Sequence, residues 1–202
     1  MGGLANRPRA NAHMHPDDLR AELLRHLRGR FSAIEVELAP WDKDPARLAI
    51  RFVERSFAGL YVQQRYHRLA HLIPREFLDQ ELANTIWFEL APGERVEELR
   101  HPDEDLIRDI TPAVLGVLAQ KHAFDGLDDL LAPADPQAVR SKCAGDFQHM
   151  RRILAERGFG DDDMFDILHV LMEQGAFCDC EILLNASPAT RFKQRAWREP
   201  GV

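Results

Sequence analysis

The residues best suited to chemistry in this chain are three cysteines, Cys143, Cys178 and Cys180, all in its last third. Two of them share the run Gly175-Ala176-Phe177-Cys178-Asp179-Cys180-Glu181, and Cys143 stands just ahead of a helical stretch that carries His149. If 177–184 is a strand, side chains alternate and Cys178 and Cys180 point to one face. Three thiolates and one imidazole make a donor set for a closed tetrahedral zinc site, so Cys143, His149, Cys178 and Cys180 are the candidate ligands. Zinc is the first cofactor to consider and an iron–sulfur cluster the second. The same face would also carry Ile182 and Leu184, so burial as small hydrophobes is the first reading and metal binding the second. Cys-x-Cys is shorter than the usual zinc spacing, and a redox thiol pair is a third reading. On a strand, Asp179 and Glu181 would occupy the opposite, solvated face.

A second constellation lies on a predicted helix. Gln64, Arg65, Arg68, His71 and Arg75 follow helical spacing and could meet phosphates or a protein partner, although a charged helix face is more often simply solvated. His67 and His71 are four apart on that helix, a spacing that can hold a metal, but no third ligand accompanies them. Asp161-Asp162-Asp163 suits the start of a helix. No phosphate-cradling glycine loop, Gly-x-Ser-x-Gly elbow or His-Glu-x-x-His motif appears, which points to binding rather than catalysis.

The surrounding chain sets the context. A formal charge of −7 opposes long-range attraction to nucleic acid or an anionic membrane. Three cysteines are an odd number for a disulfide framework, and the N-terminal run lacks the apolar core of a signal peptide. The expectation is a cytoplasmic protein with reduced thiols.

The elements that must position these residues are legible as patterns. Pro16-Asp17-Asp18 opens a helix with Leu19, Leu23 and Leu27 on one side. Ile34, Val36 and Leu38 alternate with glutamates to Pro40, and Leu48, Ile50 and Phe52 alternate after a polar turn, giving a hairpin. A helical stripe from Val62 breaks at Pro74, and Thr85-Ile86-Trp87-Phe88 is a β-prone run. From 100 to 139 the chain is acidic, with 3 Lys/Arg against 8 Asp/Glu over residues 99–139, and reads as a partly helical connector. The predicted organisation is a lead-in over 1–15, an α+β unit over 16–99, the connector over 100–139, a small cysteine-containing helical unit ending in a strand over 140–187, and a loose tail over 188–202.

Two resemblances accompany these patterns. Leu48-x-Ile50-x-Phe52-Val53, Phe57-Ala58-Gly59, His67-Arg68-Leu69 and Leu90-Ala91-Pro92-Gly93-Glu94 give residues 17–98 a likeness to the BolA family. That family has a class II KH-like fold of helices on a three-stranded sheet. The resemblance implies a partner of monothiol glutaredoxins in iron–sulfur handling, or a weak nucleic-acid binder. At the position of that family's characteristic histidine, early in the last strand, stands Trp87. Residues 143–186 resemble a bacterial family of unknown function with a Cys-Asp-Cys-Glu signature, here Cys178 to Glu181.

Overall fold

The computed structural model describes residues 14–31, 33–135 and 141–198. Most of the predicted lead-in, residues 1–13, lies outside them. The fold is mixed α+β, with a three-stranded sheet and, among the described residues, nine α-helices. No helix among these residues is long and apolar enough to cross a membrane. The chain divides into two compact units. One runs to Gly59 and resumes from Arg68 to Leu99; the other takes Leu60–His67 and the chain from Arg100 onward.

In the first unit, helix α1 (Pro16–Leu27) buries Leu19, Leu23 and Leu27, the stripe its sequence spacing predicts. Its proline sits in the first turn, where a missing N–H costs nothing, and Asp17 and Asp18 complement the helix dipole. Strands β1 (Glu35–Trp41) and β2 (Asp44–Val53) pair antiparallel, with Val36 opposite Phe52 and Leu38 opposite Ile50. Strand β3 (Thr85–Leu90) runs parallel to β2 and places Trp87 opposite Ile50. Val36, Ile50 and Phe52 are essentially without solvent exposure. Pro40 does not end β1 as its sequence suggests. The sheet order is β1-β2-β3, so β1 is an edge strand and can carry a residue with no N–H to donate. The register slips there, between Pro40 and Trp41. Helix α2 (Val62–Ala70), whose residues up to His67 count with the second unit, is separated from α3 (Arg75–Glu81) at Pro74, as expected.

The second unit is helical throughout. It comprises α4 (Glu104–Gln120), α5 (Ala123–Leu131), α6 (Gln148–Glu156), α7 (Asp161–Glu173), α8 (Asp179–Glu181) continuing into a π turn (Ile182–Ala186), and α9 (Arg191–Arg198). The stretch 100–139, read from sequence as a connector, supplies α4 and α5, and only 136–140 fall outside the described residues. Leu118, Phe124, Leu127 and Leu131 share one core with Phe147, Met150, Leu154, Leu168, Ile182 and Leu183. Asp103 accepts the N–H groups of Asp105 and Leu106 at the start of α4. Helix α4 continues through Pro112.

The tail is not loose up to residue 198. Buried Asp128 on α5 accepts the N–H groups of Arg191 (3.1 Å) and Phe192 (2.8 Å), capping α9 from a distance of more than 60 residues in sequence. The Thr190 hydroxyl accepts the Lys193 N–H at 3.1 Å.

The predicted terminal strand is absent. Residues 179–186 form a helical turn because Asp179, Ile182 and Leu183, spaced i, i+3, i+4, are all fully buried.

Candidate metal centre

Two turns of the second unit bring the cysteines together. Gly175, at φ 76°, ends the α7 segment in the left-handed conformation that glycine tolerates. The chain then runs extended through Cys178, the residue before α8, and coils, so that Cys180 follows one helical step later. Cys143 arrives from the loop ahead of α6. Gly145, at φ 78°, folds that loop back so that its own N–H donates to the Cys143 sulfur at 3.4 Å.

The three sulfurs lie within 4.8 Å of one another, and those of Cys178 and Cys180 are 3.3 Å apart. Cys178 is buried; Cys143 and Cys180 are half-buried. Their proximity makes them one electrostatic system. Donation from Cys178 and then Cys180, helped by the backbone N–H groups of Cys180 and Gly145, holds the Cys143 thiol far below the usual range. Cys143 conversely pushes both partners up, Cys180 to about 11.

The strand alternation predicted for the pair does not occur, yet the juxtaposition does, produced by a helical turn. His149 does not join it. Its Nε2–H donates to the Lys142 carbonyl at 3.2 Å, and among the described residues the group of converging donors is Cys143, Cys178 and Cys180.

Asp179 is the residue that sequence reasoning placed on the wrong side. It is fully buried, not solvated. Its two carboxylate oxygens accept the N–H groups of His149 and Met150, each at 2.9 Å, at the open N-terminus of α6. Its own N–H donates to the Asp146 carbonyl at 2.9 Å. Burial wins over these two amide donors and raises the carboxyl to about 6. One side chain therefore fastens the Cys-Asp-Cys turn to the helix that follows Cys143.

Phe177, just before the turn, is held at both ends of its peptide. Its N–H donates to Glu181 at 2.7 Å, and its carbonyl accepts from the Gln64 side chain at 2.9 Å. The His67 ring stacks flat on the Phe177 ring, with centroids 4.0 Å apart. Gln64, Asp179 and Glu181 are thus positioning residues for the cysteines. The sequence signal that could have found Asp179 is its spacing from Ile182 and Leu183; Gln64 carries none.

This geometry also corrects the second constellation. Gln64 is 2% exposed and Arg65 4%, the latter donating to the Leu60 carbonyl at 2.9 Å. Neither can contribute to a surface for nucleic acid or a partner. Of the five residues proposed for it, His71 and Arg75 are exposed and Arg68 is half-buried. Arg75 lies 3.4 Å from Asp79. Asp163 accepts the Gly160 N–H at 3.2 Å at the start of α7, the capping role expected for that acidic run.

Residues 130–185 match the model of a family described as a protein of unknown function, DUF2695. The match spans 56 of 202 residues and contains all three cysteines together with α6 and α7. No curated protein and no solved structure matches the chain.

Proposed function

We propose that this chain is a non-enzymatic binding or adaptor protein whose second unit holds a soft, thiophilic ion through Cys143, Cys178 and Cys180. The observation that carries the reading is the convergence of three sulfurs from segments some 35 residues apart, within 4.8 Å of one another. Buried hydrophobic cysteines need no such convergence, and no such set of backbone clamps around them. Thiolates select zinc and other soft ions over magnesium or calcium. Zinc–sulfur bonds of about 2.3 Å put tetrahedral ligands about 3.8 Å apart, a spacing the triad reaches with shifts of about 1 Å or less. With three protein donors, zinc would take its fourth ligand from solvent or a partner. The test is the metal content of the purified full chain beside a Cys178→Ser, Cys180→Ser double variant. Near-stoichiometric metal that is lost in the variant is the expected result. A chain that is metal-free and takes up no thiophilic ion when reconstituted under reducing conditions would overturn the reading.

A second reading draws on the first unit: an iron–sulfur or redox accessory that meets a monothiol glutaredoxin. Its support is the order helix-strand-strand-helix-helix-strand, with β2 and β3 parallel, on which the likeness to the BolA family rests. The position of that family's histidine counts against a shared cluster there. Trp87 donates its indole N–H to Thr85 at 2.8 Å and packs on Phe52, and an indole does not ligate metal. Mixing the chain with a cluster-loaded monothiol glutaredoxin decides the matter, since a visible-absorbing complex is required and colourless, non-interacting proteins would remove this reading.

A further inference from the structure

We infer that the cysteine triad is selective for a trivalent, three-coordinate thiophilic ion delivered as a neutral trihydroxy acid, the class of arsenite and antimonite. The inference rests on reading the triad as an ion site and names the ion. Three features of the site favour this class over zinc.

The first is donor number. Among the described residues three sulfurs converge, and the imidazole of His149 is tied to the Lys142 carbonyl. A trivalent ion with a lone pair is satisfied by three sulfurs, whereas structural zinc takes four protein ligands.

The second is angle. With bonds of about 2.3 Å, the sulfurs of Cys178 and Cys180, 3.3 Å apart, subtend about 92° at the ion, near the right-angled pyramid of a lone-pair ion and well below the tetrahedral value. The third is charge. Three thiolates neutralise a trivalent ion, but leave a zinc complex at −1 in a segment that already carries Asp179 and Glu181. A neutral complex is the one that a half-buried, acidic turn accommodates at least cost. The half-buried Cys143 and Cys180 leave a side open for entry, and the lone pair needs no ligand on that side.

The exchange balances without a change of oxidation state. Counted from the fully protonated triad, three S–H bonds and three ion–oxygen bonds break, three ion–sulfur bonds and three O–H bonds form, and three waters leave.

The experiment is a titration of the full chain, kept reduced with a phosphine, with sodium arsenite and separately with zinc chloride, followed by native mass spectrometry and direct competition. The expected product carries one arsenic in place of three hydrogens per chain and is not displaced by equimolar zinc. Cys143→Ser, at a loop position that leaves the helices intact by circular dichroism, should weaken arsenite binding by about a hundredfold or more, because the third bond closes within one molecule. Zinc displacing arsenite would overturn this inference and leave the ion-site reading standing. An arsenite adduct equally tight in Cys143→Ser would overturn it as a two-thiol adduct. Binding of neither ion would overturn both readings.

Discussion

Replacing Asp179 by asparagine tests whether the cysteine turn is fastened to α6 as described. The carboxylate accepts two backbone N–H groups, one on each oxygen, at 2.9 Å, from a position with no solvent exposure. Asparagine keeps the shape and one acceptor, but turns an NH2 group toward the second N–H. A buried amide left without a partner costs about 1–3 kcal/mol, and loss of the negative charge at a helix N-terminus costs up to about 1 kcal/mol more. The opposing gain is relief from burying a charge, which burial makes costly enough to lift the carboxyl to about 6. That gain is largest at neutral pH. Near pH 5 the carboxyl is mostly protonated and, like the amide of asparagine, offers one acceptor oxygen and one donor group, so there the metal-free asparagine variant should stand within about 0.5 kcal/mol of the parent in urea unfolding. Asp179→Ala, which removes the remaining acceptor as well, should lose about 2 kcal/mol there, or about 10 °C in Tm for a unit of roughly 100 residues. An alanine variant within about 0.5 kcal/mol of the parent would refute the reasoning, since surface changes commonly fall in that range. The two amides would then have other partners, and the turn would not depend on this side chain.

Three further outcomes follow from the same packing. Gln64→Ala strips the Phe177 carbonyl of its donor and should weaken ion binding by about tenfold, as loss of a supporting residue around a metal site commonly does; equilibrium dialysis reads it. His169 is buried and its imidazole held below its ordinary range by that burial, with Arg100 and Arg151 adding to the effect. Its native form is therefore neutral: stability is complete above the unfolded imidazole value and falls as pH drops below it, and His169→Gln should flatten that part of a Tm-against-pH curve. Asp128→Ala should release α9, read as faster amide exchange at Arg191 and Phe192 with exchange in α6 and α7 unchanged, and a cost of about 1–2 kcal/mol typical of a lost helix cap.

Where side-chain pattern alone dictates structure, the sequence was a sufficient guide. The alternations at Val36/Leu38 and Ile50/Phe52 yield strands, the leucines of 19–27 yield a buried helix face, and Pro74 divides two helices. The cysteine segment misleads because two periods fit it. Cys178, Cys180, Ile182 and Leu184 alternate like a strand, while Asp179, Ile182 and Leu183 repeat like a helix. Choosing between them required knowing that an aspartate would be buried, and what makes that tolerable is the open end of α6, some 30 residues earlier in the chain. The same ignorance of distant partners turned α4 and α5 into a connector, α9 into a loose tail, and buried Gln64 and Arg65 into a surface. His149 stands apart from the sulfurs for a related reason: its spacing from Cys143 was readable, but the capture of its ring by the Lys142 carbonyl was not.

The placement of the sulfurs has a consequence for the chain as a polymer. An ion held by Cys143 together with Cys178 and Cys180 ties off a loop of about 35 residues that contains all of α6 and α7. On a chain-entropy account, closing a loop of that length with a permanent link removes about 4 kcal/mol worth of freedom from the unfolded ensemble. The ion would then be a clasp that does in a reducing compartment what a disulfide does outside one. Unlike a disulfide, it opens with a chelator or competing thiol, so the persistence of the helical pair would follow the supply of the ion.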